Sequence, residues 1–127
     1  MVVPGHLLAI YDGTAAADAT LRAAAERADA EERRLTVLAI AVIEAHRPCC
    51  HNGRGVWNAA MLDLAHEHLM RAREVLSGVD GARYALRRGT DQVAVAVDAA
   101  RELGCDELVL PAPEGRRWRR DPWRALR

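Results

Sequence analysis

His6-Leu7-Leu8-Ala9-Ile10-Tyr11-Asp12-Gly13-Thr14 carries the decisive reading of this chain. Its first six residues form a short apolar run that stops at a turn-forming Asp-Gly pair. A run this short, with no polar alternation, is the pattern of a strand buried on both faces of a parallel sheet. Thr14 is placed to cap a helix that begins at the next residue. Residues 15–33 are alanine-rich, with Leu21, Ala24, Ala25 and Ala28 at helical spacing and charged residues on the other face. That spacing predicts an amphipathic helix.

The alternation continues outward from this unit. Leu35 to Ile43 is nearly all apolar and largely β-branched, a second strand expected at the centre of the sheet. Residues 44–55, with Pro48, Asn52, Gly53 and Gly55, read as irregular. Trp57, Met61, Leu64, Leu69, Ala72 and Leu76 predict a helix over 56–77, ended by Ser77-Gly78. Ala82 to Arg88 is a third, more exposed strand. Thr90 or Asp91 caps a helix to Leu103, with Gly104 as its stop. Asp106 to Leu110 is a fourth strand, cut by Pro111 and Pro113, and Asp121-Pro122 opens a last short helix through Leu126. Strand and helix in strict alternation predict an α/β three-layer sandwich with a mainly parallel sheet of four to five strands.

Composition narrows the partners. The chain has 127 residues, one domain's worth, with no internal repeat or linker, so 1–127 is expected to be a single domain. Eighteen basic and eighteen acidic residues give a net charge of zero, which argues against a nucleic-acid partner. No apolar run reaches the roughly 20 residues of a membrane helix, so no membrane partner is expected. Met1 to Gly5 lacks a basic n-region and a cleavage site. With only three cysteines, a reduced, cytoplasmic setting is expected. Every basic residue is Arg, Phe is absent and Ala is abundant, which implies a core of small residues. Charge is uneven, because residues 114–127 hold six Arg against Glu114 and Asp121 and carry Trp118 and Trp123.

These residues resemble a family. Leu7 to Tyr11 followed by Asp12-Gly13-Thr14 is similar to the opening strand and Asp-Gly-Ser/Thr turn of the universal stress proteins. Leu35-Thr36-Val37-Leu38 resembles their second strand, Arg88-Gly89 their third turn, and Ala99-Ala100-Arg101-Glu102-Leu103-Gly104-Cys105-Asp106 before Leu108-Val109-Leu110 their last helix-strand unit. The resemblance runs from about residue 6 to 111 in one element order. It implies an adenine-nucleotide-hydrolase-like fold and a role in stress response. In members that bind ATP, the acid after the first strand contacts the nucleoside, which matches Asp12 within Asp12-Gly13-Thr14. The backbone at the end of the second strand holds the adenine, near Ile40. Phosphates sit on a Gly-x-x-Gly, nine residues, Gly-Ser/Thr pattern after the fourth strand.

There the chain departs from the pattern. It reads Pro111-Ala112-Pro113-Glu114-Gly115, with Ala125-Leu126 where the Gly-Ser pair belongs. A phosphate cradle needs backbone N–H groups and close approach. Proline supplies neither, and Glu114 adds the wrong charge. The expected reading is therefore a regulatory or scaffolding module with a degenerate nucleotide site and no cofactor. The alternative is an ATP-binding stress protein in which Gly115, Arg116, Arg117 and neighbouring arginines rebuild the cradle. Asp12 and Thr14 also have a purely structural reading, as turn and cap. Family members usually add a fifth strand that pairs subunits. None is legible before Leu126-Arg127, so a homodimer by another route, or a protein partner, is expected.

A third reading rests on His46, Cys49, Cys50 and His51, soft and borderline metal ligands within six residues. Adjacent cysteines fit one tetrahedron poorly and no second ligand pair follows, so a metal- or thiol-responsive loop ranks below a plain surface loop. His66 and His68 fall on different faces of their helix. His66 is expected to be exposed, and Cys105 is expected to be buried filler. No nucleophile elbow, Walker loop, Rossmann fingerprint or zinc-protease motif is present, and Ser77 is the single serine. No enzyme is proposed by the sequence.

Overall fold

A computed structural model describes residues 5–44 and 51–111. The elements alternate as the sequence implies: β1 (His6–Ile10), α1 (Ala15–Ala30), β2 (Arg34–Val42), α2 (His51–Val75), β3 (Arg83–Gly89), α3 (Gln92–Glu102) and β4 (Glu107–Val109). The strands form one four-stranded sheet in the order β3-β2-β1-β4, and every pairing is parallel. β2 is central, pairing β1 from His6↔Arg34 to Ile10↔Leu38 and β3 from Thr36↔Arg83 to Val42↔Gly89.

The period-2 geometry of the strands sorts the core into two faces. Leu7, Ala9, Tyr11, Leu35 and Val37 pack under α1 and the second half of α2. Leu8, Ile10, Leu38 and Leu108 pack under α3. Helices on both faces explain why β1 and most of β2 are apolar without alternation. Nearly half of the buried apolar residues are alanines, so the helices lie close to the sheet. At Gly89 the approach is close enough that a Cβ would run into the Val95 side chain.

The helices stop by local chemistry. α3 ends in a Schellman motif, with the Cys105 N–H on the Ala100 carbonyl (2.8 Å), the Gly104 N–H on the Arg101 carbonyl (3.2 Å), and Gly104 at φ 70. α1 ends the same way, with Arg33 N on Ala28 O (2.8 Å) and Glu32 N on Asp29 O (3.2 Å), but the left-handed position is Glu32 at φ 53. That turn ends α1 at Ala30, short of the 33 implied by its polar periodicity.

One further expectation is corrected. α2 starts at His51, not 56, so His51, Gly53 and Gly55 belong to a helix and not to an irregular loop. Helix formation there overrides the weak propensity of two glycines. The buried stripe of α2 is Ala65, Leu69 and Ala72, continued by Leu76 just past its end, while Trp57 and Leu64 are exposed and Met61 only half-buried. The remaining boundaries move by one or two residues, as helix and strand ends do. The helix expected over 121–126 lies outside the described residues, and no helix among them is long and apolar enough to cross a membrane.

β4 is clamped at its amino end. Glu107 is buried, at 5% exposure. Its carboxylate accepts from both terminal guanidinium nitrogens of Arg27 and from Arg33 Nη1 (2.9 Å). Arg33 Nη2 also reaches Asp106 Oδ1 (2.7 Å), which accepts the His6 N–H (2.9 Å). Burial alone would raise the Glu107 carboxyl, but the two arginines outweigh it and hold the group below its ordinary range. On the opposite face, buried His6 shares a 2.7 Å hydrogen bond with the Thr36 hydroxyl.

Candidate functional site

β1 has β2 on one side and β4 on the other, so the winding reverses at β1. α1 and α2 accordingly lie on one face and α3 on the other. In open α/β sheets such a reversal leaves a crevice outside the carboxyl ends of the strands, and ligands bind there. Asp12, Gly13 and Thr14 stand at that point, directly after β1.

The turn is built by its own side chains. Asp12 is exposed, and its Oδ1 accepts from the Thr14 N–H (3.1 Å) and the Thr14 hydroxyl (2.6 Å). Thr14 Oγ1 accepts in turn from the Ala17 N–H (3.1 Å), capping α1. These contacts satisfy the structural reading of both residues. They leave Asp12 Oδ2 without a protein partner among the described residues. Gly13 sits at φ 77, and a Cβ there would lie 2.6 Å from His68 Cδ2 and 2.7 Å from Nε2. The imidazole of α2 therefore lies directly over the turn.

Ile40 lies on the neighbouring strand, past the end of β1. The Tyr11 N–H donates to the Leu38 carbonyl (2.9 Å), the last backbone contact of β1 with β2. Both peptide groups of alternate residues in a parallel strand face the same neighbour. The Ile40 N–H and C=O, two residues on, therefore face the space beyond the end of β1, while Ile40 keeps its register partner Arg87 in β3. Exposed Val42, Val93 and Leu110, at the ends of β2 and β4 and the start of α3, give this end of the sheet an apolar rim.

A buried polar cluster missed by the sequence reading holds the turn from below. Tyr11 is 1% exposed and its hydroxyl donates to Asp18 Oδ1. Asp18 Oδ2 accepts from Arg71 Nη2 (2.8 Å), reaching out from α2. His68 meets the Tyr11 ring edge-on, with centroids 6.3 Å apart. The signal was available, because Asp18 interrupts the apolar stripe of α1 beside Ala17 and Leu21, and a carboxylate on a core face needs a partner. Nothing in the sequence said that Arg71 supplies it.

Burial and then the Asp18 contact push the Tyr11 phenol up to about 12. The Arg71 contact, then that of Tyr11, hold Asp18 below its ordinary range. A phenol raised in the folded state stabilises the fold fully below its unfolded value of 10.0, and that contribution fades as pH rises from there through about 12. Urea unfolding across that interval should show a falling stability. Tyr11→Phe should remove its share of the slope, leaving the parts due to the Cys105 thiol and to Tyr84, which burial also raises.

Of the other expected site residues, Gly115, Arg116 and Arg117 lie outside the described residues, as do His46, Cys49 and Cys50. His51 is in the first turn of α2. Among the described residues no group of three or more His, Cys, Asp or Glu side chains is arranged to hold a metal. His66 is exposed, and Cys105 is buried with its thiol raised to about 11, chiefly by burial.

No family profile matches the sequence, and no curated protein matches it. Solved structures do. A universal stress protein UspA from Lactobacillus plantarum superposes with a TM-score of 0.69 at 18% identity, over 87% of this chain and 78% of that one. A protein of the universal stress protein family from Burkholderia pseudomallei gives 0.67 at 24% identity, over 84% and 80%. A universal stress protein from Archaeoglobus fulgidus in complex with dAMP gives 0.63 at 20% identity, over 87% and 82%. The winding reversal at β1, the Asp-Gly-Thr turn and these superpositions agree: the chain has the universal stress protein fold.

Proposed function

We propose that this chain is a non-enzymatic, universal-stress-protein-like regulatory module that recognises the nucleoside part of an adenine nucleotide at the carboxyl end of β1. The observation that carries the reading is that Asp12 Oδ2, without a partner among the described residues, and the outward-facing Ile40 peptide groups both stand at the end of β1. The carboxylate suits ribose hydroxyls, and an adjacent N–H and C=O suit the donor-acceptor edge of a purine. The apolar rim suits the faces of a base. The dAMP complex of a structural neighbour supports the same class of ligand. Pro111 stands where a cradle would begin, and it has no N–H to offer a phosphate. Contact is thereby weighted toward the nucleoside, and binding acts by shifting a conformational or oligomeric equilibrium, with no turnover.

Asp12→Ala is the direct test. It should weaken adenosine binding about tenfold or more, the scale of one charge-assisted hydrogen bond, as read by calorimetry. Thr14 still caps α1 in that variant but loses its two hydrogen bonds to Asp12, so the melting temperature should fall by a few degrees while the protein stays folded. Unchanged adenosine affinity in the folded variant would refute the assignment.

A further inference from the structure

A second concavity lies at the opposite end of the sheet. A cavity of about 720 Å³ opens between the last turns of α1 and α2 and the turn into β3. Its floor is apolar, with Leu35 and Leu76 buried and Val79 42% exposed. Its rim is charged: Glu26, Asp29, Glu32 and Asp80 face Arg22, Arg33 and Arg34. Arg33 is committed to Asp106 and Glu107, at 2.7 and 2.9 Å. Two arginines then stand against four carboxylates. α1 and α2 both end here, and helix carboxyl ends add negative potential.

One rim position is held against conformational preference. Glu32 takes the left-handed conformation at the position where α3 has Gly104. A non-glycine residue is disfavoured there. The chain thus keeps a carboxylate on the groove where glycine would close the same motif with less strain, and strain of this kind concentrates at functional sites.

We propose that the groove docks residues 114–127 of a second copy of the chain. That segment, which lies outside the described residues, carries six arginines against two acids, a charge opposite to the groove's. Trp118 and Trp123 supply the flat apolar area that a floor of Leu35, Leu76 and Val79 takes. The segment follows β4 at the carboxyl end of the sheet, whereas the groove opens at the amino end; docking on the same molecule would spend much of the segment in running back along the sheet, whereas a neighbouring molecule can present both tryptophans, which favours the neighbour as the source. Reciprocal exchange between two copies closes a dimer. The docking is independent of the ligand reading above, since it uses the other end of the sheet.

Light scattering of the full chain tests it. The wild type should associate at low salt, and added salt should weaken that association, because the docking is electrostatic. Glu26→Arg with Asp80→Arg should weaken it about a hundredfold, and an excess of a peptide of residues 112–127 should dissociate it. Glu32→Gly supplies the control for folding: its melting temperature should rise while its association weakens severalfold. A wild type that is monomeric at every concentration, or variants that associate as the wild type does, would overturn the proposal.

Discussion

Glu107→Ala is expected to be among the most damaging single substitutions in this fold, costing about 3 kcal/mol. Glu107 opens β4 with its side chain 6% exposed, between Arg27 and Arg33 at 24% and 11%. Removing it does more than delete attractive contacts. It leaves two guanidinium groups partly buried without the acceptor that justified their burial. The figure sits at the low end of the usual range because Arg27 keeps Glu31 (2.7 Å) and Arg33 keeps Asp106 (2.7 Å). Urea denaturation of the variant should show the loss with an unchanged m-value. The same group sets an acid limit. Its folded carboxyl is held below the unfolded 4.5, so its contribution is complete above that value and is lost as pH falls through the folded one. Asp18 adds to this loss for the same reason. A Glu107→Gln protein should keep most of the shape and show a shallower acid limb.

Gly13→Ala is expected to cost on the order of 2–3 kcal/mol, from two separable sources. The backbone is at φ 77, where an L-side chain is strained, and the added methyl would lie 2.6 Å from the His68 ring. A double-mutant cycle separates them. His68→Ala clears the ring, so the steric part should vanish in the double variant. The conformational part, roughly 1–2 kcal/mol, should persist. If Gly13→Ala were neutral, or if His68→Ala rescued none of its cost, His68 would not be the residue that covers the turn.

Much of the fold was legible because its signals are local. β1 and β2 announce themselves as unbroken apolar runs, α1 by the spacing of Leu21, Ala24, Ala25 and Ala28, and both α1 and α3 by side-chain caps at Thr14 and Asp91. α2 was harder, because its apolar residues are spread around the helix. Trp57, Met61 and Leu64 satisfy helical spacing as well as Ala65, Leu69 and Ala72 do, and only the position of the sheet decides which stripe is buried. Size misled here, since the larger residues drew the eye from Ala65. The early start of α2 was hidden by Gly53 and Gly55, which read as loop on propensity alone.

The site divides along the same line. Asp12, Gly13 and Thr14 were legible because a strand-turn-helix junction is a contiguous pattern. Tyr11, Asp18, His68 and Arg71 were not, because their contacts, Arg71 to Asp18 and His68 to Tyr11, join residues more than 50 positions apart. The salt network of Arg27, Arg33, Asp106 and Glu107 joins the end of α1 to β4 across more than 70 residues. Surface charges with no visible partner read as solvated in a sequence. Only the parallel pairing of β1 with both β2 and β4 brings these together.

The most direct test of nucleoside recognition is a calorimetric comparison of adenosine, AMP and ATP with magnesium on the same 127-residue chain. A site that reads the nucleoside through Asp12 and the Ile40 peptide groups predicts similar affinities for all three, within about fivefold, since Pro111 has no N–H to offer a phosphate. ATP binding more than about tenfold tighter than adenosine would contradict the account and show that a phosphate site has been rebuilt elsewhere in the chain. No binding of any of the three would contradict it outright.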